Sequence, residues 1–152
     1  MVRRITHSLV KALRQVREFA GLSDAALLEV VGASVNLFFP AGAVVFRKGA
    51  TSDGLYVVLS GRVIVADEPG GPEVAQIGPG DYFGEQSLLL ETTRSHSVAA
   101  VQDAEILVLP ASSFQRLLEG NPVLAGQVED KLRARLAATD GPGSAGQGPA
   151  AG

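Results

Sequence analysis

The sequence has 152 residues, a length typical of one domain, and 46% of them are hydrophobic, which excludes a wholly disordered chain. Cysteine is absent, so a disulfide framework, a thiolate nucleophile and a cysteine-based metal site are all excluded. The formal net charge of −3 is uneven, because residues 1–20 carry five basic groups and one acidic group, whereas residues 23–119 carry five basic and twelve acidic groups. We expect this acidic body to repel nucleic acid.

Two short helices are predicted before the strands. Apolar residues between Ser8 and Phe19 recur at spacings of three and four, which places them on one helix face and the basic residues on the other. The basic face of this leading segment, residues 1–20, is either a contact for a membrane surface or an acidic partner, or a solvated helix face. Ser23 or Asp24 is expected to cap a second helix, which ends at Gly32.

After Pro40 the sequence changes to short runs rich in Val, Ile, Leu and Tyr and bounded by Gly, a pattern typical of strands. The predicted strands are Val44–Phe46, Leu55–Leu59, Arg62–Ala66, Glu73–Ile77, Ser97–Ala100 and Glu105–Leu109. Ser60-Gly61 is predicted to be a tight hairpin turn between two of them. Strands at this regular spacing favour a small barrel or jelly roll.

Helical spacing returns near the end of the sequence. Ser112 or Ser113 is predicted to cap a helix that ends near Gly120-Asn121, and Pro122 begins a last helix that ends near Thr139. Residues 140–152 are rich in Gly and Pro and have no apolar period, so they are predicted to form a disordered tail.

The segment from Tyr82 to Ser95 carries the residues that indicate binding chemistry. Gly84 precedes a short helical turn, where backbone N–H groups can form an anion site. Arg94 has a planar guanidinium suited to a phosphate, and Glu85 can accept hydrogen bonds from sugar hydroxyls. The structural alternative for this pair is a buried Glu85–Arg94 salt bridge that only ties the short helix to a strand.

The same segment resembles the phosphate-binding cassette of the cyclic nucleotide-binding domain family, which is found in catabolite activator proteins, kinase regulatory subunits and bacterial nucleotide-gated channels. The resemblance rests on Phe83-Gly84-Glu85, Leu88-Leu89 and Arg94-Ser95, and it extends roughly from Phe19 to Leu136. It implies a mainly β fold, an eight-stranded β-roll or jelly-roll barrel. N-terminal helices, a short phosphate-binding helix and two C-terminal helices flank this roll, and the binding domain spans residues 21–139.

The resemblance also implies a ligand site. Arg94 would bind the cyclic phosphate, Glu85 the ribose 2′-hydroxyl, and Ser95 would add a hydroxyl contact. Backbone groups of the cassette would contact phosphate or ribose, and the purine would lie against aliphatic and aromatic side chains beneath an arginine of the last helix. The complete set is Gly84, Glu85, Gln86, Ser87, Arg94, Ser95, Val65, Phe83 and Arg135, with Arg133 the alternative to Arg135.

One position departs from the family pattern. The residue two after the arginine is usually small, and here it is His96. Its ring either crowds the phosphate or points to the other face of the strand. This substitution bears on ligand affinity more than on the fold.

The expected function is regulatory and not enzymatic. The chain is predicted to bind a cyclic purine nucleotide, cAMP in preference to cGMP, and to transmit binding through its last helix to an effector such as an ion channel. A small-barrel metal enzyme is the first alternative, but the sequence has only two histidines and no Gly-x-Ser-x-Gly elbow. The second alternative is a degenerate domain that serves only as a protein-interaction module, and His96 is its best support.

The expected location is the cytoplasm, including the cytoplasmic side of a membrane protein. No export signal and no membrane span are visible in the sequence. A Gly/Pro-rich segment follows the last predicted helix in place of a helix-turn-helix domain, so we expect no autonomous binding to nucleic acid.

Overall fold

The computed structural model describes the backbone of residues 2–139 and the side chains of residues 7–138. The predicted disordered tail, residues 140–152, lies outside this part of the chain. The helices are α1 (Val2–Arg14), α2 (Asp24–Ala33), α3 (Glu85–Leu89), α4 (Ala111–Gly120) and α5 (Pro122–Thr139). The strands are β1 (Val35–Phe39), β2 (Val44–Phe46), β3 (Gly54–Ser60), β4 (Val63–Ala66), β5 (Glu73–Ile77), β6 (Tyr82–Phe83), β7 (Ser97–Ala100) and β8 (Ala104–Pro110).

The eight strands form two antiparallel sheets of four strands each. The first sheet has the order β1-β8-β3-β6 and the second has the order β2-β7-β4-β5. The predicted β-roll with flanking helices is therefore confirmed. The sheets described do not close into a barrel, so that part of the prediction is wrong.

The centre of the first sheet is buried on both faces. Its inner face meets the second sheet, where Val58 packs in the same apolar cluster as Val98. Its outer face carries Val57 and Leu107, which pack against the helices. Burial from both sides explains why β3 is a continuous apolar run without alternation.

The turn at Ser60-Gly61 does not form the predicted hairpin. β3 pairs with β6 and β8, whereas β4 pairs with β5 and β7, so this turn passes the chain from the first sheet to the second. Gly61 has φ +81°, and a Cβ there would lie 2.1 Å from the carbonyl oxygen of Asp103. Local turn chemistry thus predicts the bend correctly but not which strands pair.

Two strands were not predicted. β1 lies at the edge of its sheet and pairs only with β8 among the described strands, and four of its five residues are exposed. An edge strand of this kind gives no alternation of buried and exposed residues from which to recognise it. β6 has only two residues, Tyr82–Phe83, and its pairing with β3 is a long-range contact.

The boundaries of the first helix also differ from the prediction. α1 ends at Arg14, and a 3₁₀ turn at Arg17–Phe19 follows it. Val16 separates the two with an extended backbone, at φ −77° and ψ 120°. Arg14 holds this junction in place, because its Nη1 donates to the carbonyl oxygen of Leu22 at 3.0 Å.

One of the predicted helix caps is confirmed and the other is wrong. The backbone N–H of Ala26 donates to Ser23 Oγ at 3.1 Å, so Ser23 caps α2, which ends one residue beyond Gly32. At α4 the N-cap position is Pro110 and no side chain caps the helix. Because β8 runs directly into α4, Ser112 and Ser113 lie inside the first turn.

The leading helix packs against the helical side of the first sheet. Leu13 and Val16 are fully buried and belong to the same apolar cluster as Leu124 and Val128 of α5. Lys11, on the opposite face of α1, is exposed. Within the part of the chain that the structure describes, no helix is long and apolar enough to cross a membrane.

Leu13→Ala tests this packing. Removing a fully buried leucine should lower the free energy of unfolding by about 2–5 kcal/mol, whereas Lys11→Ala on the exposed face should change it by less than about 0.5 kcal/mol. Chemical denaturation followed by circular dichroism measures both values. Equal effects would mean that α1 does not pack on the core in solution.

Candidate functional site

A cavity of about 330 Å³ lies among α3, the β4–β5 hairpin, β7 and the end of α5. Its volume is in the range of small-ligand pockets. All nine residues assigned to ligand binding from the sequence line it: Val65, Phe83, Gly84, Glu85, Gln86, Ser87, Arg94, Ser95 and Arg135. Among the described residues, no three or more His, Asp or Glu side chains are grouped as a metal site would require.

Gly84 shapes one end of the cavity. It precedes α3 with φ +91°, a conformation that favours glycine. A Cβ at this position would lie 2.8 Å from Arg94 Nη1 and 3.3 Å from the carbonyl oxygen of Gly54. Glycine is therefore required both by the backbone conformation and by the close approach of the guanidinium.

Arg94 is almost completely buried, at 3% exposure. Its Nη1 donates to the carbonyl oxygen of Gly84 at 2.9 Å and to Ser87 Oγ at 2.8 Å. Its Nη2 donates to the carbonyl oxygen of Gly54 at 2.9 Å and to Asp53 Oδ1 at 3.0 Å. The guanidinium thus ties the start of α3 to the start of β3.

The fifth N–H donor of Arg94, on Nε, is different from the other four. It is buried and has no hydrogen-bond partner among the described residues. A buried donor without an acceptor costs about 1–3 kcal/mol. An acceptor brought to this atom would remove that cost.

The positive charge of Arg94 is only partly compensated by the protein. Asp53 is its carboxylate partner in the described part of the chain, and the Asp53 side chain is 64% exposed, so water screens the pair. The guanidinium carbon also lies 4.3 Å from the ring centroid of Phe46 and 5.4 Å from that of Tyr56. A second negative charge beside Arg94 would therefore be electrostatically favourable.

The Tyr56 hydroxyl helps to hold Asp53 in place by donating to its Oδ1 at 3.0 Å. Burial, together with the neighbouring Asp53 carboxylate, raises the pKa of Tyr56 to about 12. The phenol therefore remains protonated, and remains a donor, over the physiological pH range.

Glu85 and Arg135 meet on the cavity wall. The Glu85 side chain is 4% exposed, and its Oε2 accepts from Arg135 Nη1 at 2.7 Å. Arg135 Nη2 also donates to the carbonyl oxygen of Tyr82 at 2.8 Å and to Asp81 Oδ1 at 3.1 Å. Burial lowers the pKa of Arg135, but Glu85 and Asp81 outweigh it and raise that pKa above its ordinary value.

The Glu85–Arg94 salt bridge considered as an alternative does not form. Arg94 pairs with Asp53 and Glu85 pairs with Arg135. Of the two candidate arginines on α5, Arg135 lines the cavity, whereas the Arg133 side chain is 70% exposed and pairs with acidic residues of its own helix.

Arg135 belongs to a longer series of ion pairs, here called the ionic chain, formed by Glu18, Lys131, Asp81, Arg135 and Glu85. Lys131 Nζ lies 3.3 Å from Glu18 Oε1 and also pairs with Asp81, which in turn pairs with Arg135. Glu18 lies in the 3₁₀ turn that follows α1. The ionic chain therefore runs from the N-terminal segment across α5 to the cavity.

His96 is one of the residues that line the cavity, which favours the first of the two orientations considered for its ring. Its Nδ1 lies 3.5 Å from Ser95 Oγ, and the residue is 7% exposed. Burial lowers the pKa of His96; the Asp67 carboxylate opposes this effect and the Lys48 ammonium adds to it.

The remaining wall of the cavity is mainly apolar. Val65, Phe83 and Val98 lie on one side, with 74–77 of β5 and Ala138 of α5 around them. The β5 residues, Ala138, Phe46 and Asp81 were not predicted to belong to the site. The glycine-rich turn at Gly78–Phe83 could have indicated that Asp81 lies near the site. The strand and helix patterns contain nothing that would place the apolar residues at the cavity.

Comparison with known proteins gives concordant matches. The chain is 39% identical over 109 residues to a cyclic nucleotide-gated potassium channel of Rhizobium etli. The aligned region covers 70% of this chain and 29% of the channel. It therefore spans less than a third of that relative. Two solved structures are also similar: the catabolite activator protein of Thermus thermophilus and the regulatory domain of Toxoplasma gondii PKA, solved with cAMP.

The structural matches cover most of this chain. The Thermus protein is 34% identical with a TM-score of 0.69, and the match covers 81% of this chain and 59% of that one. The Toxoplasma domain is 27% identical with a TM-score of 0.75, and the match covers 86% of this chain and 51% of that one.

The family model described as the cyclic nucleotide-binding domain matches residues 36–121, more than half of the sequence. The matched span contains α3, Arg94 and every residue assigned to the ligand site except Arg135. With the β-roll and the cavity already described, the match leads to one conclusion. The chain belongs to the cyclic nucleotide-binding domain family.

Proposed function

We propose that this chain is a regulatory, non-enzymatic sensing domain that binds one cyclic purine nucleotide, with cAMP favoured over cGMP. The observation that carries the proposal is Arg94, buried at the wall of a ligand-sized cavity with an Nε donor that has no described partner. An anionic phosphate supplies both the acceptor and the negative charge that this guanidinium favours. Gly84, Gln86 and Ser87 line the same end of the cavity and complete the proposed phosphate side.

Glu85 is the proposed contact for the ribose 2′-hydroxyl. Its ion pair with Arg135 holds the carboxylate in one orientation at the cavity wall. A carboxylate in a buried site is a strong acceptor for a hydroxyl donor. The purine is proposed to lie against Val65 and Phe83, with the Arg135 guanidinium above it.

Transmission is proposed to run through α5. Leu124 and Val128 in the first half of this helix are buried, as is Leu132 in the second half, where Lys131 and Arg135 also belong to the ionic chain. A ligand that contacts Glu85 changes the energy of the Glu85–Arg135 pair, and so acts directly on the packing of α5. Typical coupling free energies between such sites are about 1–3 kcal/mol.

The proposed sensing domain spans residues 21–139, and the leading segment, residues 1–20, is proposed to connect it to an effector such as an upstream channel on the cytoplasmic side of a membrane. The channel relative supports this arrangement, since the similarity covers less than a third of its length. No autonomous binding to nucleic acid is proposed. A domain of this fold that binds no nucleotide and serves only protein interaction is the alternative that a binding measurement excludes or supports.

Arg94→Ala is expected to weaken cAMP binding by more than about a hundredfold, because it removes the buried partner of the phosphate. Isothermal titration calorimetry measures the loss. Arg133→Ala removes an exposed arginine of α5 and is the matched control, with affinity expected to remain at the wild-type value.

Because Arg94 also binds Gly84 and Gly54, thermal unfolding must show that the variant is folded, and Arg94→Lys provides a second variant that retains the charge. Wild-type affinity in folded Arg94→Ala would place the phosphate elsewhere. Absence of cAMP and cGMP binding by the wild-type chain would favour the protein-interaction alternative.

Competition between the two nucleotides tests selectivity. cAMP is expected to bind at least as tightly as cGMP, because a serine hydroxyl at position 95 is a weaker partner for the guanine amino group than a threonine would be. Ser95→Thr should shift the preference towards cGMP. A clear preference of the wild-type chain for cGMP would contradict the proposal and identify Ser95 as the first residue to change.

Hydrogen exchange followed by mass spectrometry tests transmission. Adding cAMP is expected to increase the protection of amides in residues 123–136 and at Arg17–Phe19. Lys131→Ala, which interrupts the ionic chain, should reduce the effect at Arg17–Phe19 and leave that at Gly84–Ser95 unchanged. Protection confined to Gly84–Ser95 in the wild-type chain would indicate binding without transmission.

A further inference from the structure

His96 occupies a position on the cavity wall from which it can act on a bound anion. It follows Arg94 and Ser95 in the chain, and all three residues line the same cavity. Its Nδ1 lies 3.5 Å from Ser95 Oγ, and its ring is nearly buried. His96 is thus next in sequence to Ser95 and two residues after Arg94, the side chains proposed to contact the phosphate.

The charged groups around His96 come from several segments. Asp67, which follows β4, and Lys48, which follows β2, face the ring and form an ion pair with each other at 2.6 Å. Arg94, Glu85 and Arg135 line the same cavity. Asp67 and Glu85 are each paired with a basic group, and although Asp67 raises the pKa of His96, burial and Lys48 outweigh it and lower that pKa.

We infer that His96 is a further ligand-binding residue of this pocket, whose protonated ring strengthens binding of the cyclic nucleotide at its phosphate side. The inference rests on the proposed function and assigns an additional role to the residue at which this sequence departs from the family pattern. The alternative is steric, with the ring reducing the space for the ligand at every pH.

The sign of the pH effect follows from linkage. In the protein without ligand, burial lowers the pKa of His96 below its ordinary value and so favours the neutral ring. A bound phosphodiester, which remains a monoanion throughout this range, favours the protonated ring and raises that pKa. Ligand binding then takes up a proton, and affinity rises as the pH falls.

A rise of about one pKa unit on binding makes the affinity up to about tenfold higher at acidic pH. Calorimetric titration with cAMP from about pH 5 to about pH 8, the range in which imidazoles titrate, measures this change. His96→Gln retains a polar side chain that does not titrate, and His96→Ala restores a small residue. Both variants are expected to bind cAMP with little dependence on pH.

The chain offers a matched control, because its only other histidine, His7, is exposed on α1. In His7→Ala the affinity for cAMP is expected to keep its full dependence on pH. Because this variant lacks the His7 signal, it also identifies the imidazole resonance of His96 in a proton NMR spectrum. Adding cAMP should raise the pKa of His96 in this titration.

The outcomes separate this inference from the proposed function. Wild-type binding that is independent of pH, or a pH dependence that persists in His96→Gln, overturns the role of His96 and leaves nucleotide binding intact. Tighter binding by His96→Ala at every pH supports the steric alternative and also overturns the inference. A wild-type chain that binds neither cAMP nor cGMP at any pH overturns the proposed function and the inference with it.

Discussion

The buried guanidinium of Arg94 imposes the strongest physical constraint on this fold. A charged group out of contact with water must find acceptors for its N–H groups and a compensating charge. The chain meets this demand by bringing carbonyl oxygens of Gly54 and Gly84 to 2.9 Å from the guanidinium, with Asp53 as the counter-charge. The left-handed backbone of Gly84 follows from this approach, and it sets where α3 begins and where Glu85 lies.

Glu85 in turn connects the site to α5, which is held by two kinds of contact. Apolar burial of Leu124 and Val128 anchors its first half and does not depend on anything in the cavity. The second half has the buried Leu132 and, in addition, ion pairs of Arg135 and Lys131, one of which ends at the cavity wall. The proposed ligand at Glu85 would therefore act on the end of the helix that carries these ion pairs.

Local patterns were enough to predict much of this architecture. The bounds of β2, β5 and β7 agree with the prediction. The glycine, glutamate and arginine of the cassette were assigned to a ligand site through the resemblance to a family motif, and the structure places all three on one cavity. Long-range choices were not predictable in this way. No periodicity encodes which strands pair on either side of the Ser60-Gly61 turn. The same is true of two ion pairs that join distant parts of the chain: Arg94 with Asp53 across 41 residues, and Lys131 with Asp81 across 50 residues.

The four hydrogen bonds from Arg94 to its own chain have an evolutionary consequence. Losing this side chain would leave buried carbonyl groups without donors, so selection for folding alone favours its retention. A descendant that no longer senses any small molecule would still be expected to keep an arginine here, whereas Arg135, which is 29% exposed on its side chain, would be less constrained. In homologous sequences, an arginine at the position of Arg94 would then indicate a viable fold, and an arginine at the position of Arg135, which pairs with Glu85, would be the more informative sign of retained sensing.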